Sequence, residues 1–438
     1  MAVAYWNGAV LDPLQFRGFP DYVTQMGGAR RLLAGQLPYN PDIRVWTDVN
    51  LPPITLLLLF APFTLLSELA GKLVYFTLNH AAFLVGVALL VVTARPPGAV
   101  MGPLLWTALL AALGLTFEPW HDSLRLGQQN GIVFLCLVLA LVALCQRRDA
   151  LAGVALAAAF IGKPSSALLG LYLLYAGRWR AIAAGAVCGL GLFAVTLPWT
   201  GVENWRYYLL EKAPQILAGT PQQSNVALLA LHARLFLPRE ALSSFDAMPL
   251  VPAAQWMTRV AQVLGALALW GVTRRGRQRV AGAGAPGQGS DRLTVHLEFA
   301  VALVLSLSLV GHAWQSYVTW LILAFAPLAD PRLWQALPPG PRRWVAVLAG
   351  GSYAALALHD VALYKVIGTT TPAAAAFASL PNVALLVLAF ALAVLHAAGL
   401  TAGASRSGFR VPRSWLSRDS ELGTGNAERR GQRGGPRR

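Results

Sequence analysis

The sequence is short of charge. Of its 438 residues only 12% are Asp, Glu, Lys or Arg, against about 25% in an ordinary soluble domain. That excludes a typical water-soluble enzyme, and a hydrophobic content of 56% excludes a disordered chain. Cysteine is scarce too. Cys136, Cys145 and Cys188 lie in apolar runs with no C-x-x-C spacing and no even framework. They read as packing residues rather than zinc ligands or disulfide partners. His80, His296, His359 and His396 have no metal-ligand spacing, and no carboxylate pair in the polar stretches has it either. Neither a metal nor a cofactor is expected. The start of the chain lacks the basic n-region of a cleavable signal peptide.

What is present is apolar length. Windows of roughly 19 residues pick out runs at 51–67, 70–94, 99–117, 130–145, 151–162, 165–177, 181–198, 255–273, 296–311, 314–329, 342–358 and 380–402. The expected fold class is all-α, a polytopic transmembrane helical bundle of about 10–12 membrane segments. The 14 Trp, 11 Tyr and 17 Phe suit membrane interfaces. The runs 151–162 and 165–177 are each too short to cross. They read as two half-helices meeting at Gly162-Lys163-Pro164 inside the membrane. The run 51–67 begins Leu51-Pro52-Pro53 and reads as a helix entering without fully traversing.

The net charge of +16 is concentrated. From Gly403 to Arg438 nine Arg stand against Asp419, Glu421 and Glu428, a net +6; from Arg274 to Arg292 five Arg stand against Asp291, a net +4. Both segments are Gly-rich and read as non-helical. The positive-inside rule makes them a cytoplasmic loop, 274–292, and a disordered cytoplasmic tail, 403–438. The tail is read as a solvated segment near anionic lipid and not as a nucleic-acid binder. Arg147, Arg148, Arg178, Arg180, Arg332, Arg342 and Arg343 join them inside. Alternation then puts 17–50, 118–130, 199–254, 312–316 and 359–379 outside, within one membrane domain spanning 1–402. Only 16 residues precede Arg17, too few to span. The expectation is a chain that starts outside, or another span upstream.

The outer segments hold the residues that carry chemistry. In 17–50, Asp21 suits a general base at the membrane face, or equally an N-cap or solvated acid. The stretch after it, with Gly27, Gly28, Ala29 and Arg30-Arg31-Leu32-Leu33, suggests a short helix on the membrane surface ended by Gly35. Gln128 and Asn130 stand where the run 130–145 begins, so Asn130 suits either a cap or a hydrogen bond to a polyhydroxylated ligand. Lys163 is an ammonium within an apolar region, which costs several kcal/mol unless it faces a cavity or partner. The break at Pro164-Ser165-Ser166 frees backbone groups for such a site, and an anion such as phosphate fits it. Snorkelling to the interface is the plainer reading of Lys163. Gln222-Gln223-Ser224-Asn225 suits sugar hydroxyls, and His312 a phosphate or sugar, or else a structural helix end.

Several runs resemble glycosyltransferase family 87, membrane enzymes of the GT-C class that include polyprenol-phosphate-mannose-dependent α-mannosyltransferases. The segment DYVTQMGGARRLLAGQLPYNPD, then NLPPITLLLLFAPFTLL, is similar to the family's opening through Asp21, Tyr22, Ala29, Arg30, Leu32, Leu33, Gly35, Pro38, Tyr39, Pro52 and Pro53. LRLGQQNGIVF resembles its Gly-Gln-x-Asn segment through Gly127, Gln128 and Asn130. GKPSSALL followed by GRWRA resembles its Lys-Pro helix pair, QQSN an Asn-Gln-Ser element, and AWQSYVTW its outer Trp-x-His-Tyr segment. The likeness runs from about Gly18 to Leu328. Two features depart from the pattern: the span usual before the Asp is absent, and Gln315 and Ser316 follow Trp314 where the family has His.

The resemblance implies a GT-C bundle with an outer-face active-site loop, 17–50. It implies an inverting hexosyltransferase, in the first instance a mannosyltransferase, at the outer face of the plasma membrane. The donor is a polyprenyl-phosphate sugar and the acceptor a lipid or glycan. Asp21 is the implied base. Tyr22, Arg30, Tyr39, Gln128, Asn130, Lys163, Asn225, His312, Trp314 and Tyr317 bind substrate, with Lys163 and His312 offsetting phosphate charge. The competing class is a transporter or lipid-linked-sugar flippase, since broken helices also mark transporters. The halves show no internal repeat, which counts against it.

Overall fold

The computed structural model describes residues 19–39, 53–94, 103–243, 251–282, 288–359, 367 and 371–407. Within them the chain is an all-α polytopic helical bundle. Its principal helices are α1 (Pro20–Leu33), α2 (Ile54–Phe60), α3 (Glu68–Ala94), α4 (Pro103–Leu115), α5 (Glu118–Leu126), α6 (Asn130–Cys145) and α7 (Asp149–Gly162). There follow α8 (Leu168–Tyr175), α9 (Trp179–Thr200), α10 (Leu228–Arg234), α11 (Pro252–Gly282), α12 (Gln288–Leu309), α13 (Pro339–Ala357) and α14 (Pro372–Ser407). Among the described residues four stretches are long and apolar enough to cross a membrane: Glu68–Val91, Trp179–Thr200, Arg292–Leu309 and Pro372–Gly399. Shorter apolar helices fill the spaces between them, including Ile54–Leu65, Asn130–Cys145 and Asp149–Gly162.

The helices form two groups. One is a row in the order α4, α3, α6, α7, α9; in the other α11 and α14 pack on α12, and α13 packs on α14. They join where α12 packs on α6 and α8. The common core carries Phe83, Trp120, Phe134, Leu303, Trp320 and Leu392. Without water to drive association, helices in lipid gain most from close backbone approach at small residues. The α7–α9 crossing shows this. A Cβ on Gly153 would collide with the Ala181 carbonyl, and Gly185 lies alongside.

The row fixes two ends of the bundle. At one end the Cys145 thiol meets the Arg292 carbonyl at 3.7 Å, and Arg178 pairs with Asp149 at 3.0 Å. The other end of α6, 16 residues away, is about 24 Å distant at 1.5 Å per residue. There α1, α5, the 162–167 break and the 311–321 segment converge.

Several sequence expectations change on contact with the structure. The stretch 274–292 is not a non-helical loop: α11 continues to Gly282 and α12 starts at Gln288. Its glycines lower helix propensity, but α11 lies along α12 with Val272 and Thr273 buried, and packing overrides propensity. The tail expected from 403 is helical as far as Ser407, and 408–438 lie outside the described residues, as do 40–52 of the outer segment. The stretch 199–254 holds short helices, among them Val202–Tyr207, Ala213–Ala218 and α10. Asn130 does not cap α6. Asn79, from the middle of α3, accepts from the Gly131 and Ile132 N–H groups at 3.0 and 3.2 Å and so caps α6 from another helix.

Candidate active site

The start of α1 sets the first functional group. Pro20 occupies the first turn, where its fixed φ suits a helix and its missing N–H costs nothing. Phe19 before it sits at φ 65, a left-handed conformation that strains a bulky residue by about 1–3 kcal/mol. Two contacts hold it there. Its N–H donates to the Arg125 carbonyl at 3.1 Å, and its side chain lies on Gly127. A Cβ on Gly127 would stand 2.6 Å from the Phe19 Cβ, and Gly127 itself ends α5 at φ 69. The same contact that strains Phe19 therefore brings Asp21 against the residue after Gly127.

That residue is Gln128. Its Nε2 donates to Asp21 Oδ2 at 2.6 Å. Its Oε1 accepts from Lys163 Nζ at 3.1 Å, from Ser316 Oγ at 2.8 Å and from Asn130 Nδ2 at 3.1 Å. Lys163 Nζ also donates to the Tyr317 hydroxyl at 3.1 Å and lies 4.1 Å from that ring's centroid. Lys163 is buried and extended at the end of α7, φ −150 and ψ 105. The helix break thus turns its side chain inward to the cluster rather than outward to an interface. Asp21 is not the N-cap of α1: the cap position is Phe19, with no side-chain cap. Burial pushes the Asp21 carboxyl above its usual range, and the Lys163 charge and the Gln128 hydrogen bond draw it part of the way back.

His312 stands at the same place, edge-on to Trp314 with ring centroids 4.2 Å apart. Burial first, and then the Lys163 charge, push it down to about 3. It is therefore neutral at neutral pH and does not add the positive charge that the sequence reading gave it. Its Nε2 has no hydrogen-bond partner among the described residues, and neither has Ser165 Oγ.

These groups line one cavity of about 1650 Å³. Its polar end holds Asp21, Gln128, Lys163, His312, Trp314 and Tyr317; the rest runs between α7, α8 and α9 past Leu156, Phe160, Leu171, Ile182, Gly189 and Phe193. Asp122 and Arg125 of α5 stand on its edge, and Gln222, Gln223 and Ser224 on its far wall.

Six of the eleven residues expected at the site line the cavity. The other five have different settings. Tyr22 packs into an aromatic cluster, its ring centroid 5.0 Å from Tyr75 and 6.0 Å from Phe60. Arg30 is exposed on α1. Tyr39 stacks on Tyr208 at 5.5 Å. Asn130 lies behind Gln128, donating to Gln128, to Ser123 Oγ at 3.0 Å and to the Ser316 carbonyl at 3.1 Å. Asn225 staples two walls: its Oδ1 accepts from the Ala227 and Ala313 N–H groups, each at 3.1 Å, and it bridges in antiparallel fashion to Trp314. Arg234 braces the same loop, donating to the carbonyls of Pro221, Gln222 and Asn225 and across to Ala378. Sequence reasoning named Ser165 only as part of the helix break, and missed Gln25, Gln129 and Ser316 at the site and Asn79 and Arg234 behind it. Polar residues inside apolar runs were the available signal for Asn79 and Ser165. Among the described residues no three His, Cys, Asp or Glu side chains group as metal ligands would.

An acid and an ammonium bridged by one amide, at the polar mouth of an apolar groove, mark the candidate active site of a helical membrane protein. The model of glycosyltransferase family 87 matches residues 51–285, just over half of the chain, and the chain belongs to that family. The match includes Gln128 and Lys163; Asp21 and the 312–317 segment lie beyond it. No curated protein and no solved structure matches the chain.

Proposed function

We propose that this glycosyltransferase moves a hexose, mannose in the first instance, from a polyprenyl-phosphate donor to a lipid or glycan acceptor at the outer face of the plasma membrane. One observation carries the reading: the Asp21–Gln128–Lys163 cluster opens directly into an apolar groove. The groove suits a hydrocarbon chain, and the polar end suits the phosphate and sugar attached to it. Family membership favours this over the transporter reading.

In this mechanism Asp21, ionised, takes the proton of the acceptor hydroxyl. The oxygen attacks the anomeric carbon as the bond from that carbon to the phosphate oxygen breaks, so configuration inverts. Polyprenyl phosphate leaves with the electron pair. Lys163 offsets its charge, and neutral His312 and Ser165 donate hydrogen bonds to its oxygens. The proton rests on Asp21 until it passes to water or product phosphate. The amide of Gln128 holds base and cation in register. The cytoplasmic placement of the 403–438 tail follows from the charge alternation.

The test is turnover. Purified protein in lipid nanodiscs is given polyprenyl-phosphate mannose and, separately, polyprenyl-phosphate glucose, with a membrane lipid extract as acceptor source. Release of polyprenyl phosphate with sugar appearing in a new product supports the reading. A protein that consumes neither donor overturns it.

A further inference from the structure

Most amides around the cavity are used up within the protein. Gln128 and Asn130 bond to each other and to Asp21, Lys163, Ser123 and Ser316, and Asn225 is a staple. Gln25 is different. It is buried, 5% exposed, and lines the cavity. Its Oε1 has no hydrogen-bond partner among the described residues.

The direction of that amide is fixed by a chain of bonds. The Gly162 carbonyl can only accept, and it takes Gln129 Nε2 at 2.9 Å. Gln129 therefore presents its Oε1 to Gln25, whose Nε2 donates to it at 3.4 Å. Gln25 must then turn its oxygen away, as an acceptor with nothing to accept. A buried carbonyl left unpaired is costly, and the cavity is where a donor would come from. The bond to Gln129, longer than usual at 3.4 Å, is weak enough to yield as the side chain turns toward that donor. Gln25 is also one helical turn beyond Asp21 on α1. Residues at i and i+4 share a face with their Cβ atoms about 5–6 Å apart.

We infer that Gln25 is a specificity-determining residue of an acceptor subsite that takes a vicinal diol, as in a sugar or cyclitol ring. The inference rests on the glycosyl-transfer reading of Asp21. One hydroxyl of the pair gives its proton to Asp21 as it attacks. The adjacent hydroxyl donates to Gln25 Oε1 and stays intact. A lone hydroxyl on a protein side chain or fatty alcohol leaves Gln25 unpaired and is rejected. An apolar residue at 25 would remove that penalty and the selectivity with it.

The experiment titrates the full-length protein in lipid nanodiscs with methyl α-D-mannopyranoside and with myo-inositol, followed by saturation-transfer NMR. The singly deoxygenated methyl mannosides are titrated in parallel. The expected result is that the wild type binds an intact ring about tenfold to a hundredfold more tightly than at least one deoxygenated analogue, the range for one buried acceptor left unpaired. Gln25→Met, similar in size, should then bind intact and deoxygenated rings alike. Absence of binding by either polyol overturns the inference, and so does wild type that ignores the missing hydroxyl. The same holds if the Gln25→Met protein discriminates as the wild type does. The wild-type comparison stands whether or not the variant folds. Turnover separates the sources: a raised acceptor KM with the donor KM unmoved supports the acceptor subsite, and a raised donor KM overturns it. Because the titration needs no donor, it stands apart from any failure of the polyprenyl-phosphate reading.

Discussion

Gln128 donates a 2.6 Å hydrogen bond to the Asp21 carboxylate from 107 residues away, and this bond sets the state of the proposed base. A donated hydrogen bond favours the ionised carboxylate, so it works against the burial that raises Asp21. Removing it must raise the carboxyl further. The acid limb of kcat/KM, which reports the free enzyme, should therefore move to higher pH in Gln128→Ala. A pH–rate profile checks this. An acid limb that stays put or moves down would separate Gln128 from the base.

Lys163→Ala probes the other arm of the bridge. The ammonium touches Gln128 and Tyr317 and faces the cavity. Losing one charge-assisted contact to phosphate should cost about 1.5–3 kcal/mol in donor binding or transition-state stabilisation. Lys163 also lowers Asp21 by its charge, so the acid limb should again rise. An unchanged donor KM and kcat in an inserted, folded variant would return Lys163 to a structural role.

Asn79→Ala tests the cap between helices. It removes an acceptor from two N–H groups at the start of α6 and the donor to the Gln128 carbonyl at 2.9 Å. The cost should be about 1–2 kcal/mol of stability, seen as a lower thermal midpoint in detergent. Because the same side chain seats Gln128, activity should fall together with stability. A full-strength midpoint would show that water caps α6 as well as Asn79 does.

The apolar runs were legible because each is a local property of ten to thirty residues, and the break at Gly162-Lys163-Pro164 was legible for the same reason. Partnerships were not. Nothing local links Asp21 to Gln128, or Asn79 to α6; these pairs exist only once α1, α3 and α5 have packed. Amides were the hardest to read. Gln25, Gln128, Asn130 and Asn225 look alike in sequence, yet Gln128 and Asn225 spend their oxygens on Lys163, Ser316 and Ala313 while Gln25 and Asn130 keep theirs unpartnered among the described residues. The helical continuation through Arg274–Arg279 was hidden by the glycines around it, since the contact with α12 that sustains it is tertiary.

Sidedness rests on charge alternation and has a direct check. Glu203 and Arg275 are both exposed and are expected on opposite faces. With Cys136, Cys145 and Cys188 replaced by Ala, Glu203→Cys should react with a membrane-impermeant maleimide in intact cells. Arg275→Cys should react only after permeabilisation. The reverse pattern would put Asp21 and its cavity on the cytoplasmic side and reverse the whole assignment.

Asp21→Asn decides whether the cluster is a catalytic site. The substitution keeps size and one acceptor oxygen, so Gln128 Nε2 still has a partner. It removes the negative charge and the proton acceptor. General-base catalysis contributes about a hundred- to ten-thousand-fold, and transfer should fall by that order. Folding should hold, since Asp21 does not cap α1 and the strained Phe19 is fixed by the Arg125 carbonyl and Gly127. Stability should even rise slightly above the carboxyl's pKa. Burial makes the ionised form costly in the folded state, and the neutral amide does not carry that cost. A base thus predicts a well-folded variant with donor binding retained and turnover nearly abolished. A purely structural acid predicts the opposite pattern, near-normal turnover with altered stability, and that result would remove Asp21 from the mechanism while leaving family membership intact.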